Sequence, residues 1–308
     1  MNPRDPSDLH IVVVGAFAAD CVINTPVLPG WGEDHEVRSM YTTPVGKALN
    51  QAVALARLGA RVSAIGATGD DALGQETRSL LAEEGVDTSG IDVRRNTATP
   101  ICLCFVGDDG RGAYVSHTAP EVAVTAETVR ANESTIWGAD AVLTTLEPLP
   151  EGVREAINLG RAANAYVVAQ PAPMKHPRSE VTDLPWSQAD LVVPNEAEAR
   201  TLLTEPVPSE KPEDLVTALF KQLNGPQLVI TLAERGCISL DYGTPSRYPA
   251  VEPSRVVDTT GASDAFTATL TLQRTGRVSE VDSVRRALHT AASSVNVAGG
   301  HRSMPIQG

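Results

Sequence analysis

Positive charge, aromatic side chains, cysteine and long apolar runs are all scarce in this chain. Its 308 residues carry 25 Lys and Arg against 38 Asp and Glu, a formal net charge of −13. The basic clusters that attract nucleic acid or an anionic membrane have little to be built from, so neither is an expected partner. The longest apolar stretch near the start, residues 11–19, is nine residues long, about half of a ~20-residue membrane span. It reads as a buried strand, and no basic segment precedes it as in a secretion signal, so the expected location is cytoplasmic. The only cysteines, Cys21, Cys102, Cys104 and Cys237, are too few for a disulfide scaffold and lack the paired spacing of a zinc site. Cys102 and Cys104 fall on one side of a strand-like run, and all four read as reduced and structural. The phosphate-binding frame GxxxxGK[ST] is missing as well. What remains is an ordinary globular composition, 42% hydrophobic and 4% aromatic, long enough to bury a large core without staples.

Short β-type runs alternate with helical stretches over most of the length. LHIVVVGAF, GKALNQAVALARLG and RVSAIGATG come first, then a helix near 72–84, and later DAVLTTL, YVVAQ, DLVVPN and QLVITL. Near-continuous apolar strands separated by helices predict a doubly wound α/β fold, a mainly parallel sheet with helices on both faces. Two segments break the pattern with turn clusters and short β-type runs, within 22–43 and 91–116; the second includes the turn Gly107-Asp108-Asp109-Gly110. They predict antiparallel excursions that together form a small β lid inserted in a single domain over 1–308, the alternative being two unrelated surface hairpins.

Four runs carry chemistry. VVDTTGASDAF (256–266) passes from β-type residues into a helix and places Asp264 in its first turn, beside N–H groups without intrahelical partners. Such a corner pairs a base with an anion cradle, as phosphoryl transfer requires; it is also what a plain helix N-terminus looks like. PNEAEARTLL (194–203) follows an apolar strand and sets Asn195 and Glu198 three residues apart at a helix start. The pair suits Mg²⁺ at the carboxyl end of a parallel strand, and suits a capping box equally well. TPVGKALNQAVALARLG (43–59) puts Gly46 and Lys47 at a strand-to-helix junction with Asn50 one turn later, polar groups for a polyol or a solvated first turn. TLAERGC (231–237) is an apolar strand ending in a polar turn.

In this order, together with VGAFAAD (14–20), ATGDDALG, Leu146-Glu147, QPAP (170–173) and GGHRSMP, these runs resemble the ribokinase, or PfkB, family of carbohydrate kinases over essentially the whole chain. That family's signature is close to DTTGAGDAF, of which eight of nine letters stand here. The resemblance implies Asp264 as the catalytic base, with the N–H groups of Gly261, Ala262 and Ser263 as the anion hole. It implies Asn195 and Glu198 for Mg²⁺ and phosphate, and Asp20, Gly46, Lys47, Asn50 and Glu147, with Asp264, for the sugar. Thr231, Gly236 and His289, with Asn195, fall on nucleotide positions. Asp258, Thr260, Gly299 and Ser303 match the loops that hold a monovalent cation, usually K⁺, and family members commonly dimerise through the lid.

The chain departs from the family pattern at Val45, where the first glycine of a hinge stands, and at Ala18, Ser263 and Ala233. Val cannot take the φ > 0 open to Gly, which bears on lid closure. Ala18 lacks a polar contact to the sugar, Ser263 adds a side chain to the cradle, and Ala233 replaces a turn glycine beside the nucleotide. The expected activity is ATP-dependent phosphorylation of a primary hydroxyl of a neutral sugar, ribose-like by preference, with ATP, Mg²⁺ and K⁺ as cofactors. A nucleoside kinase is the first alternative, since a bulkier substrate would fill the space at Ala18. A sugar- or nucleotide-binding protein with little turnover is the second. The acidity fits phosphate binding by helix N–H groups and Mg²⁺, and favours a neutral acceptor over one already phosphorylated.

Overall fold

The structure, a computed structural model describing residues 3–108, 111–241 and 243–306, resolves the alternation into two sheets. In chain order the strands are β1 (His10–Val14), β2 (Ala18–Asn24), β3 (Ser39–Val45), β4 (Arg61–Gly69), β5 (Val86–Arg94), β6 (Ile101–Val106) and β7 (Gly112–His117). They continue with β8 (Ala141–Thr144), β9 (Tyr166–Ala169), β10 (Leu191–Val192), β11 (Gln227–Thr231), β12 (Cys237–Leu240) and β13 (Ser246–Tyr248). The helices are α1 (Lys47–Arg57), α2 (Ala72–Glu83), α3 (Ala126–Arg130), α4 (Glu133–Trp137) and α5 (Pro150–Ala162). After them come α6 (Arg178–Thr182), α7 (Glu196–Leu202), α8 (Pro212–Leu223), α9 (Ala262–Thr275) and α10 (Glu280–Ser294).

The main sheet has nine strands in the order β13-β12-β11-β10-β9-β8-β1-β4-β5, parallel from β11 to β5 with an antiparallel edge at β12 and β13. Period-two alternation divides its core between two faces. Ile11 and Val13 pack into one cluster with α1, α9 and α10, whereas Val12 and Val14 join the opposite cluster with α3, α4 and α5. All four are buried, which is why β1 reads as an unbroken apolar run.

The lid is a second sheet ordered β3-β2-β6-β7. Each expected excursion is an antiparallel hairpin, and the two join edge to edge through parallel pairing of β2 with β6, so they are one sheet and not unrelated hairpins. The expected bounds need correction. Residues 91–94 belong to β5 of the main sheet, where they pair with β4 and bury Ile91, and the turn-rich stretch begins only after them. At the other end β2 starts at Ala18, whose register opposite Val45 extends the lid to the edge of the main body. Asp109 and Gly110 of the expected turn lie outside the described residues.

Candidate active site

Two helix N-termini and one strand end meet at the carboxyl ends of the parallel strands. The first N-terminus is that of α1. Its N-cap, Gly46, has φ 138°, a conformation closed to other residues, and a Cβ there would stand 2.5 Å from the Ala16 carbonyl oxygen. Glycine has no side chain to cap the helix, and Glu147, just after β8, supplies the acceptors instead. Its Oε1 accepts from the Lys47 N–H at 2.8 Å, and Oε2 accepts from the N–H groups of Ala48 (3.1 Å) and Ala16 (3.3 Å) and the Thr145 hydroxyl (3.0 Å). Oε2 is saturated, whereas Oε1 keeps a lone pair for an acceptor hydroxyl.

The first turn of α1 then aims Lys47 and Asn50 at α9. Asn50 Nδ2 donates to Asp264 Oδ2 at 2.8 Å, and Lys47 Nζ lies 3.5 Å from Oδ1. Asp264 is 2% exposed, and its Oδ1 has no hydrogen-bond partner. Burial pushes the Asp264 carboxyl up from its ordinary value, and the Lys47 ammonium and the Asn50 amide pull it back only in part. Burial also works against the Lys47 charge, but Asp264, Glu147 and Glu198 together hold its ammonium above the usual range. Gln51, fully buried beside Asn50, donates to Gln170, and its own Oε1 is unpartnered, as is Asn50 Oδ1.

The second N-terminus is that of α9, entered through Gly261 at φ 84°. A Cβ on Gly261 would meet Met304 Cε at 2.8 Å. The Ala262 N–H donates back to the Thr259 carbonyl at 3.2 Å. Of the expected anion-hole set, the Ala262 N–H is thus used within the turn. Asp258 ties this turn to the C-terminal loop, accepting from the N–H groups of Thr260 and Gly299 at 2.9 Å each. Ser303 closes that loop by donating to the Gly300 carbonyl at 2.8 Å, so all four residues expected around a monovalent cation come together. Their carboxylate and carbonyl oxygens are donors of the hard kind such an ion takes.

Asn195 and Glu198 form a reciprocal capping box on α7, at 2.8 Å in both directions. The capping account of their spacing thus holds geometrically. Burial raises the Glu198 carboxyl, while Lys47 lowers it and Asp264 raises it. Glu198 thus lies within electrostatic reach of Lys47 and Asp264, and the cap occupies its Oε2, which leaves Oε1 as a hard oxygen that fits Mg²⁺. Thr231 adjoins this corner through its bridge to Asn195. Gly236 has φ 85°, and a Cβ on it would fall 2.0 Å from the Tyr248 carbonyl oxygen. Beyond lies a cavity of ≈ 520 Å³ lined by Tyr248, Ala250, Val251, Arg285, Leu288 and His289.

Asp20 lies on β2 of the lid, where burial raises its carboxyl against the pull of Cys104 and Lys175. Val45 ends β3 paired with Ala18, and the unusual dihedral falls on Gly46. Ala233 does take the strained position of the glycine it replaces, at φ 53°. Sequence reasoning gave no role to Gln51, met Gln170 only as a letter of the QPAP run, and took Gly300 only as part of the cation-loop segment 299–303. The only signal for Gln51 was a second amide next to Asn50 on a helix otherwise apolar on that side. Gly300 shows its role only in space, since a Cβ there would sit 2.7 Å from Asn50 Oδ1.

The family model described as pfkB family carbohydrate kinase matches residues 8–307. The chain is 30% identical to the ribokinase of Bacillus subtilis (strain 168), covering 97% of each chain. To the ribokinase of Haemophilus influenzae it is 29% identical, covering 96% of this chain and 95% of that one. Its fold is similar to that of Arabidopsis thaliana ribokinase solved with ribose and ATP, with a TM-score of 0.85 at 24% identity over 99% of this chain and 96% of that one.

Proposed function

The chain belongs to the pfkB family of carbohydrate kinases, and from that premise we propose that it transfers the γ-phosphoryl group of ATP to a primary hydroxyl of a neutral, ribose-like sugar. One observation carries the mechanism: Asp264 is buried in the first turn of α9 with one oxygen held by Asn50 and the other, Oδ1, free of hydrogen bonds and countered by the Lys47 ammonium 3.5 Å away. An acceptor hydroxyl placed at Oδ1 gives up its proton to it as the oxygen attacks phosphorus. Charge developing on the transferred group meets the N–H groups of Gly261 and Ser263 at the positive end of the 14-residue helix α9. Lys47 stays protonated throughout and keeps Asp264 ionised between turnovers. Glu147 fixes the start of α1 and offers Oε1 to the sugar; Asn50 and Gln51 offer unpartnered carbonyl oxygens.

Mg²⁺ held by Glu198, with Asn195 locking that side chain, would neutralise the β- and γ-phosphates. Asp258, Thr260, Gly299 and Ser303 would hold K⁺ beside the α9 turn. The nucleotide base is assigned to the cavity at His289, with Thr231 and Gly236 along the phosphate and ribose path. We assign Asp20 to the sugar from the lid side. Residues 1–308 act as one cytoplasmic catalytic unit whose lid pairs with a second copy, a reading supported by exposed Met40, Tyr41, Tyr114 and Val115 on β3 and β7. Among the described residues no helix is long and apolar enough to cross a membrane.

The test is a Mg-ATP assay across ribose, other neutral sugars and nucleosides, with Asp264→Asn as control. Turnover is expected on a pentose and is expected to fall by about 10³-fold or more in the variant, with sugar affinity by calorimetry nearly unchanged. Equal rates in the two proteins would reject Asp264 as the base. A preference for nucleosides would move the substrate class.

A further inference from the structure

Parallel pairing of β2 with β6 sets Asp20 directly beside Cys102, and Val22 beside Cys104. The two-residue period of β6 then turns both thiols to the face that carries the Asp20 carboxylate. The ligand atoms of the three residues all lie within 4.8 Å of one another, and the two sulfurs are 3.5 Å apart. Tetrahedral Zn²⁺ with Zn–S of about 2.3 Å needs its sulfurs about 3.8 Å apart. The strand has therefore brought two soft ligands to coordination spacing and added a carboxylate from its neighbour. Cys21 is excluded from the set, since alternation along β2 turns it to the opposite face, where it is buried.

We propose that Asp20, Cys102 and Cys104 form a three-ligand site for a thiophilic divalent cation, Zn²⁺ in particular, with its fourth position open to water. Binding forms two metal–sulfur bonds and one metal–oxygen bond, and the two thiol protons pass to solvent. Two thiolates and one carboxylate leave one negative charge in excess of the ion, and Lys175, close enough to Asp20 to act on its charge, offsets it. An occupied site withdraws the Asp20 carboxylate from sugar hydroxyls, so the metal competes with the acceptor and not with ATP. This competition rests on the assignment of Asp20 to the sugar; the binding does not.

The experiment separates the two. Cd²⁺ is titrated into the reduced full-length protein and followed by its thiolate charge-transfer absorbance, and Zn²⁺ by competition with a chelating dye. One equivalent is expected to bind with a two-thiolate band. Cys102→Ser and Cys104→Ser are each expected to weaken binding by at least about 100-fold, the upper end of the loss from an outer partner alone, while Cys21→Ser leaves it intact. In kinetics with excess Mg-ATP, Zn²⁺ is expected to raise the sugar KM at constant kcat, reversibly on chelation. No thiolate band at one equivalent, or a band that survives both serine variants, overturns the site. A band with an unchanged sugar KM upholds the site and overturns the placing of Asp20 against the sugar.

Discussion

Glu147→Ala separates a residue that builds the site from one that merely touches substrate. The carboxylate is the N-terminal cap that Gly46 cannot supply, and its removal strands the Lys47 and Ala48 N–H groups, bonded at 2.8 and 3.1 Å, and weakens the hold on Ala16 at 3.3 Å. Each buried donor left unmade costs about 1–3 kcal/mol. Burial already pushes the Glu147 carboxyl up from its ordinary value, ahead of the lowering by those same N–H groups, so deleting the charge returns part of the loss. The net destabilisation is about 2–4 kcal/mol, a fall in Tm of about 3–6 °C for a chain of this size. Function suffers more, because the first turn of α1 holds Lys47 and Asn50 against Asp264. If its fraying misplaces both, kcat/KM falls about 100-fold, equivalent to about 2.7 kcal/mol. Differential scanning fluorimetry and a coupled ADP-release assay read the two quantities on one preparation. An unchanged Tm with a higher sugar KM and normal kcat would refute the capping argument and leave Glu147 as a sugar contact only.

Asp264→Asn removes a buried charge that its surroundings disfavour, so Tm is expected to hold or rise by a degree or more while turnover collapses; a marked fall in Tm would contradict the burial argument. The same upward shift means that Asp264 takes up a proton at a pH above the ordinary 3.8. The acid limb of the kcat/KM profile is accordingly expected above that value, and Lys47→Met, by deleting the main opposing charge, is expected to move it further up; a downward move would refute the coupling. Gly300→Ala pushes its methyl to within 2.7 Å of Asn50 Oδ1, and the side chain yields by leaving Asp264. Activity is expected to fall about tenfold, roughly 1.4 kcal/mol, at nearly constant Tm, and a crystal structure with the Asn50–Asp264 bond intact would sink this. Ala233→Gly relieves a left-handed alanine at φ 53°, worth about 1 kcal/mol less the added freedom of the unfolded chain. Urea unfolding is expected to show a small gain, and a loss would show that the turn carries no strain.

The α/β alternation, the lid hairpins and the Asp264 corner were legible because each is local. Period-two and period-3.6 patterns, turn residues and a nine-letter motif are written within a few positions of one another. Lid edges were less legible. Ile91 and its neighbours look like lid until β5 pairs with β4, and Ala18 reads as part of the apolar run of β1 until it finds Val45. The Asn195–Glu198 spacing could not choose between cap and cation ligand, since a Glu that caps with one oxygen still presents the other.

By itself the sequence determined the fold class, the order of the elements and the chemical types available, because hydrophobic periodicity dictates which faces are buried and hence how strands and helices layer. Tertiary structure decided which distant groups share a dielectric. It set Glu147 under α1, a hundred residues away in sequence, made Lys47 and Asn50 partners of Asp264, and put Asp20 beside two thiols of another strand. Charge stabilisation, hydrogen bonding and metal ligation act over a few ångströms of space whatever the separation along the chain, so no local pattern records them.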